Sequence, residues 1–426
     1  MDWITTMKPV SFLINTSVNA FDHTRLLLES LRQNLSSPDS HEFIVFVDSD
    51  NQGTEKWLNT QKDNFRDLKI VTHNLPPCIG YSRNNNLLVD MAKNDIVSYL
   101  QSDMVVSKDY DLDILKDLKE NQILSSTRIE PPLHGQSYEK VTKDFGVTPD
   151  QFNLKEFTEF AQTVKEDKRI NYFFAPLTFY KKTWQNSGGY DTLFRRSRED
   201  SDLLQRLVHQ GVEITQTFNA NVYHFTCIAS RGKDWFDRSN AKAQRRVMLQ
   251  QEADGIELRK FIRKWGAFTH GMILNRYDVD VVFEDEPDVA TVEFSEPYYS
   301  RVWSKEGTAY AELSRRFSSV QSVANSLLNF TNDQWDSSKK YYNVDKIDEK
   351  LCIGRPKDYN VLVTLKGKPM AGFAETTSAI HRIIEQYDIG VYNYGEAQID
   401  IRKKVLDNPP LKVINPKFDM SLLEIK

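Results

Sequence analysis

Phe43-Ile44-Val45-Phe46-Val47 runs straight into Asp48-Ser49-Asp50-Asn51-Gln52-Gly53. Five β-branched or aromatic residues with no polar alternation read as a strand buried on both faces, and the turn-rich stretch behind them stops it. The same grammar repeats outward. Val10 to Ile14, Lys69 to Thr72 and Ile96 to Leu100 are further short apolar runs. Between them lie helix patterns at Asn19 to Leu35 (Leu27, Leu28, Leu31, Leu35), Thr54 to Thr60 and Ser82 to Ala92. Strands alternating with helices predict an α/β fold, a mainly parallel sheet flanked by helices. The polar residues cluster just behind the strands, at the carboxyl ends where such sheets take ligands.

Later stretches are less regular. From 125 to 171 the periodicity weakens around Pro131-Pro132 and Gly135, which predicts an insertion over the sheet edge, with an amphipathic stretch from Phe152 to Val164. Tyr172 to Tyr180 and Val222 to Phe225 resume as strands, Ser201 to Gln210 reads as a helix stopped by Gly211, and Ser239 to Trp265 as a long helix ended by Gly266. Beyond 270, Asp278 to Phe283 and Ala290 to Phe294 alternate like half-exposed antiparallel strands, followed by a helix near 309–330. A strand at Tyr359 to Leu365, a helix at Thr376 to Tyr387 and a strand region at Ile389 to Ile401 complete the pattern. The expectation is one domain over 1–270 and an α+β accessory domain over 271–426. The openings Tyr277-Asp278-Val279-Asp280-Val281 and Tyr359-Asn360-Val361-Leu362-Val363 are similar, with so few matches that chance suffices.

The 426 residues carry 60 acidic and 55 basic side chains, and a net charge of -5 argues against bulk electrostatic capture of nucleic acid. A 40% hydrophobic share supplies a sizeable core and argues against a mainly disordered chain. Cys78, Cys227 and Cys352 lie far apart without a paired spacing, which supports neither a disulfide framework nor a zinc knuckle. Residues 1–12 lack a basic stretch followed by an apolar run, and no run approaches the roughly 18 apolar residues of a spanning helix. A cytoplasmic protein is the expectation.

Four polar patches fall on one sheet edge: Asn15-Thr16, Asp48 with Asp50, Gly80 to Asn84, and Gln101-Ser102-Asp103. Each alone is ordinary turn chemistry. Together they point to a binding site. Further on come Gly188-Gly189-Tyr190-Asp191, Glu199-Asp200 opening Ser201 to Leu207, His224, and Lys264-Trp265-Gly266.

In this order and spacing the residues of about 8–270 resemble the family 2 glycosyltransferases, nucleotide-diphospho-sugar transferases of the GT-A type, whose sheet is Rossmann-like and mixed. The resemblance implies an inverting transfer of a sugar, from a UDP-sugar before a GDP-sugar, to an acceptor glycan or other hydroxyl-bearing molecule. It implies that Asn15, Thr16, Asp48, Asp50, Arg83 and Ser102 hold the donor, with Asp48 accepting from the base edge and Arg83 touching base or diphosphate. A salt bridge to a sheet-end carboxylate is the equal alternative for Arg83. Asp103 and His224 are the implied ligands of a divalent cation, Mn²⁺ or Mg²⁺, which offsets the charge on a departing nucleotide diphosphate. His224 packed as an ordinary strand residue is its alternative. Gln101 departs from the family's Asp-x-Asp and leaves one anionic ligand there. Asp200, helped by Glu199, is the implied base for the acceptor hydroxyl, and both also suit the start of a helix. Residues 125–171 would face the acceptor, and the C-terminal domain would build a homo-oligomer or recognise the acceptor.

Rival readings are a sugar nucleotidyltransferase, for which the stretch after Ile14 lacks a basic glycine-rich loop, and a non-catalytic binding protein, for which Gln101 speaks. Phosphate-loop, HExxH, GxSxG and GxGxxG motifs are absent from the sequence.

Overall fold

The computed structural model describes residues 7–50, 52–74, 79–194, 197–226, 255, 257–267, 275–314, 350–365, 373–407, 413, 415 and 417–426. The chain divides into two compact units interleaved in sequence: 1–195 with 206–247 and 415–426, and 196–205 with 248–414.

The first unit alternates as the apolar runs dictate. Its strands are β1 (Val10–Ser17), β2 (Glu42–Asp48), β3 (Leu68–His73), β4 (Ile96–Gln101), β5 (Met104–Val106), β6 (Gln122–Glu130), β7 (Lys140–Thr142), β8 (Arg169–Ile170), β9 (Leu177–Tyr180) and β10 (Glu213–His224). Helices α1 (Phe21–Asn34), α2 (Thr54–Thr60), α3 (Tyr81–Met91), α4 (Tyr110–Asp117), α5 (Leu154–Thr163), α6 (Lys181–Ser187) and α7 (Glu199–His209) connect them. All seven residues of β2 are buried, the signature of a strand covered on both faces.

In the second unit the strands are β11 (Val279–Phe283), β12 (Arg301–Ser304), β13 (Leu351–Ile353), β14 (Val361–Leu365), β15 (Gly390–Tyr394) and β16 (Ala397–Ile401). The chain then returns to the first sheet as β17 (Glu424–Ile425), an antiparallel edge strand on β3. The first sheet therefore has eleven strands in the order β17-β3-β2-β1-β4-β9-β6-β10-β5, with β7 beside β6 and β8 beside β10. β3, β2, β1 and β4 run parallel, while β9 enters antiparallel to β4 and β6, making the sheet mixed.

Three expectations change here. The stretch expected to leave the sheet edge at 125 instead begins inside β6, whose nine residues are all buried between β9 and β10. Buried Ser125, Ser126 and Thr127 hide it from a hydropathy reading. Val279–Phe283 is buried and parallel to both neighbours rather than half-exposed and antiparallel. Its acidic residue is tolerated because Asp280 accepts from Arg301 Nε at 2.7 Å and Trp303 Nε1 at 3.3 Å. Val289–Ser295 is a helix, started by Asp288, whose carboxylate accepts from Thr291 N at 2.8 Å.

The second sheet has the order β13-β12-β11-β14-β16-β15, its first four strands parallel and the last two antiparallel. The two similar openings prove to be neighbours, with Val279 opposite Val361. One face of this sheet packs on the helix Phe373–Gln386 through Ile380 and Ile384. Of the long helix expected over 239–265, residues 239–254 and 256 lie outside the described residues, and 257–265 are helical. Cys78 and Cys227 also lie outside them, and Cys352 is a free, half-buried thiol.

Candidate active site

The carboxyl ends of β1, β2 and β4 open onto a cleft of about 290 Å³, lined by Asn15, Thr16, Asp48, Gly80, Tyr81, Asn84, Gln101, Ser102, Asp103, Phe174 and His224 among others. Six of the ten expected site residues meet there: Asn15, Thr16, Asp48, Ser102, Asp103 and His224.

One side is built around Asp48. It is only 2% exposed, and its Oδ1 accepts from Ile79 N at 3.1 Å and lies 3.2 Å from His73 Nδ1. Its Oδ2 accepts from Gly80 N at 3.2 Å and Asn84 Nδ2 at 3.0 Å. A carboxylate has about four lone-pair sites, and all are taken. The expected role at a base edge therefore gives way to a clamp that ties β2 and β3 to the loop before α3. Gly80 sits at φ 101°, a conformation glycine adopts freely, so the chain turns into the helix here.

The run Asn84-Asn85-Asn86 divides three tasks. Asn84 holds Asp48, Asn85 Oδ1 accepts from Asn15 Nδ2 at 3.3 Å, and Asn86 exchanges two bonds with the backbone of Tyr190 at 2.8 and 2.9 Å. The Gly188-Gly189 turn is gripped further by Arg206, whose guanidinium donates to Ser187 O and Gly189 O, each at 2.5 Å. Trp184 stacks on Phe179 at 4.9 Å and is buried in the core.

The other side is made by strand register. Met104 of β5 pairs with His224 of β10, and on the opposite flank Ile129 of β6 pairs with Tyr223. Asp103 and Glu130 are thus brought to either side of His224. Asp103 Oδ2 lies 3.8 Å from His224 Nε2, while His224 Nδ1 lies 2.9 Å from Glu130 Oε1. Glu130 also takes Arg128 Nη1 at 2.8 Å and Lys140 Nζ at 2.9 Å. Burial alone would raise its pKa, but His224, Arg128 and Lys140 outweigh this and hold it at about 2. Glu130 thus lies behind the Nδ1 side of the imidazole, and Nε2 faces Asp103. This is the support that a metal-binding histidine ordinarily has. The sequence reading missed Glu130, because it lay within the stretch read as an insertion.

Two residues expected at the donor serve elsewhere. Asp50 accepts from Gln52 N and Glu55 N at 2.9 and 3.0 Å, closing the turn into α2. Its modest burial favours the neutral acid, but those backbone donors with Thr54 lower its pKa. Arg83 makes no ion pair among the described residues, so the salt-bridge alternative is not realised. Its guanidinium lies 5.8 Å from the Phe418 ring centre, and burial lowers its pKa.

Glu199 and Asp200 open α7 and group with the second unit. Glu199 is buried, and desolvation together with the charges of Asp200 and Glu257 raises its pKa well above the usual carboxylate range. Three residues on from Glu199, Asp202 is fully buried and holds Lys264 Nζ at 2.7 Å and Trp265 Nε1 at 2.9 Å, which explains the Lys-Trp pair of the sequence as a structural tie.

Solved structures match the chain at low sequence identity. It matches a crystal structure of GalNAc-T7 with UDP, GalNAc and Mn²⁺ (12% identity, 51% of this chain and 44% of that one, TM-score 0.39). It matches S. aureus TarS (12%, 80% and 55%, TM-score 0.39). A third match is the mannosyltransferase PcManGT from Pyrobaculum calidifontis with GDP-Man and Mn²⁺ (16%, 58% and 64%, TM-score 0.36). The chain spans less than two thirds of the length of each of these three. No family model and no curated protein sequence matches. Among the described residues no helix is long and apolar enough to cross a membrane.

Proposed function

We infer that the protein is a GT-A type glycosyltransferase that moves a sugar from a nucleotide-diphosphate donor to a hydroxyl acceptor, with inversion and with a UDP-sugar favoured. The observation that carries this reading is the pair of Asp103 and His224, 3.8 Å apart at one end of a cleft on the carboxyl ends of the parallel strands. Two bonds of roughly 2.1 Å to one cation span such a gap. A carboxylate with a neutral imidazole suits Mn²⁺, and equally admits Mg²⁺. Among the described residues no group of three such side chains forms, so the donor's own oxygens would complete the shell. The cation would stabilise the charge on the leaving diphosphate.

The protein's residues do the rest. Asn15, Thr16 and Ser102 line the cleft and supply polar contacts for the nucleotide, and the Asp48 clamp holds residues 79–84, the entry to α3 and its first turn, of which Gly80, Tyr81 and Asn84 form part of the wall. Within the acidic pair the base role is assigned to Asp200, with Glu199, whose pKa burial raises, beside it as its helper. Gln101 favours a second reading, a binding protein without turnover, since its amide donates to Tyr81 Oη at 3.2 Å where an acid would serve a metal.

Calorimetric titration of UDP, GDP, CMP and TDP, each with and without Mn²⁺, tests both. Binding of one nucleotide that tightens with metal supports the transferase. Binding of none refutes it.

A further inference from the structure

The last ten residues, far away in sequence, belong to the donor-binding unit. β17 adds to the edge of β3 through Ile70 N to Lys426 O at 2.9 Å and Lys426 N to Ile70 O at 2.8 Å. Leu423 is buried, and Asp419 closes the turn before it by accepting from Ser421 N at 3.0 Å. This anchoring seats the half-buried Phe418 over the carboxyl end of β3. Its ring stands edge-on to His73 at 6.5 Å between centres, with the Arg83 guanidinium 5.8 Å from its centre. Both neighbours flank the Asp48 clamp: His73 is one of its four partners, and Arg83 lies in the first turn of α3 between Gly80 and Asn84, two others.

We propose that residues 417–426 form a strap across the end of the cleft away from Asp103, with Phe418 as a positioning residue that holds His73 and Arg83, and through them the Asp48 clamp, in the geometry that receives the nucleotide. The proposal rests on the nucleotide-sugar reading for its ligand. The physical route is short: an aromatic ring in contact with an imidazole and a guanidinium limits the rotamers of both. The guanidinium carries no carboxylate partner among the described residues, and the Phe418 ring lies 5.8 Å from it.

Titration of UDP and GDP, with Mn²⁺, into wild type, Phe418→Ala, Phe418→Leu and Phe418→Tyr provides the first test, with melting temperatures beside each. Ala and Leu weaken the Kd about fivefold, the size of one aromatic contact, and Tyr restores it. The strengthening by Mn²⁺ is the same in all four proteins, because Asp103 and His224 are untouched. A lower melting temperature with an unchanged Kd overturns the proposal, as does a Leu variant that binds like wild type. Amide hydrogen exchange separates this failure from failure of the transferase reading. If wild type binds neither nucleotide, that reading falls, yet Phe418→Leu must still speed exchange at the Ile79 and Gly80 amides. Unchanged protection there refutes the strap without any ligand.

Discussion

His224 stands between two carboxylates, with Nδ1 2.9 Å from Glu130 Oε1 and Nε2 3.8 Å from Asp103 Oδ2. The first is a hydrogen-bond distance and the second is not. The imidazole is therefore oriented by Glu130 and offered to Asp103 across a gap.

Removing either side of that gap should abolish the metal response. In Asp103→Ala and His224→Ala, nucleotide binding no longer tightens with Mn²⁺, as read by calorimetry and by the paramagnetic signal of free Mn²⁺. Glu130→Gln keeps the side-chain volume and a hydrogen-bond acceptor but loses the charge, and should weaken Mn²⁺ binding about 10- to 100-fold, the usual cost of losing such a supporting group. Equal Mn²⁺ affinity in all three would remove the metal assignment.

Asp48→Ala strips four donors of their acceptor at once. With buried groups left unpaired, the fold should lose about 3 kcal/mol or more in denaturant titration. Nucleotide binding should fall too, since residues 79–84 at the start of α3 are released. A stability change under about 0.5 kcal/mol would show that these bonds are replaced by water.

The acidic pair at α7 separates by pH. Glu199 carries a raised pKa, so its stabilising contribution is complete below the unfolded value of 4.5 and lost as pH climbs toward the folded value. Glu199→Gln should therefore raise the melting temperature at pH 7 relative to wild type and leave it nearly unchanged at pH 4. Asp200→Asn should bind nucleotide as wild type does while lowering turnover by about 10²–10⁴-fold. Undiminished turnover would move the base elsewhere.

Asp111 shows the opposite sign. Burial favours its neutral form, but His41 and the Ser36 and Ser37 donors prevail and hold its pKa at about 2. The stabilisation is present above the unfolded value of 3.8 and lost as pH falls through about 2. Asp111→Asn should flatten the acid limb of a stability-against-pH curve between those values. An unchanged limb would mean that other carboxylates govern acid unfolding.

Gly189 has φ 68°, and a Cβ there would lie 2.4 Å from Asn86 Oδ1 and 2.6 Å from Trp184 Nε1. Gly189→Ala should cost about 2–4 kcal/mol from strain and overlap together. Thermal unfolding checks it, and a melting temperature equal to wild type would mean that the turn rearranges freely.

Much of the first sheet was legible because its signal is local. An unbroken run such as Phe43 to Val47 can be buried only as a doubly covered strand, and a strand of that kind ends where Asp48 and Ser49 begin to turn. The same argument located Asn15, Thr16, Ser102 and Asp103 on one edge. It failed at β6, whose serines and threonine are buried by hydrogen bonding across strands rather than by apolarity, as where Thr127 Oγ1 donates to Thr217 O at 2.9 Å. It failed again at Val289–Ser295, where alternating residues fit a strand until Asp288 supplies the helix cap.

By itself, then, the sequence determined where strands and helices alternate and which polar residues fall behind the strands, since both follow from short-range apolar periodicity. Only the tertiary structure decided which of those residues act together. The register of β5, β10 and β6 put Asp103, His224 and Glu130 side by side, and the four donors around Asp48 turned an expected ligand contact into a clamp. The return of β17 to β3 gave the last residues a place beside His73 and Arg83. Strand order and register depend on pairings between distant segments, and no local pattern of side chains encodes those.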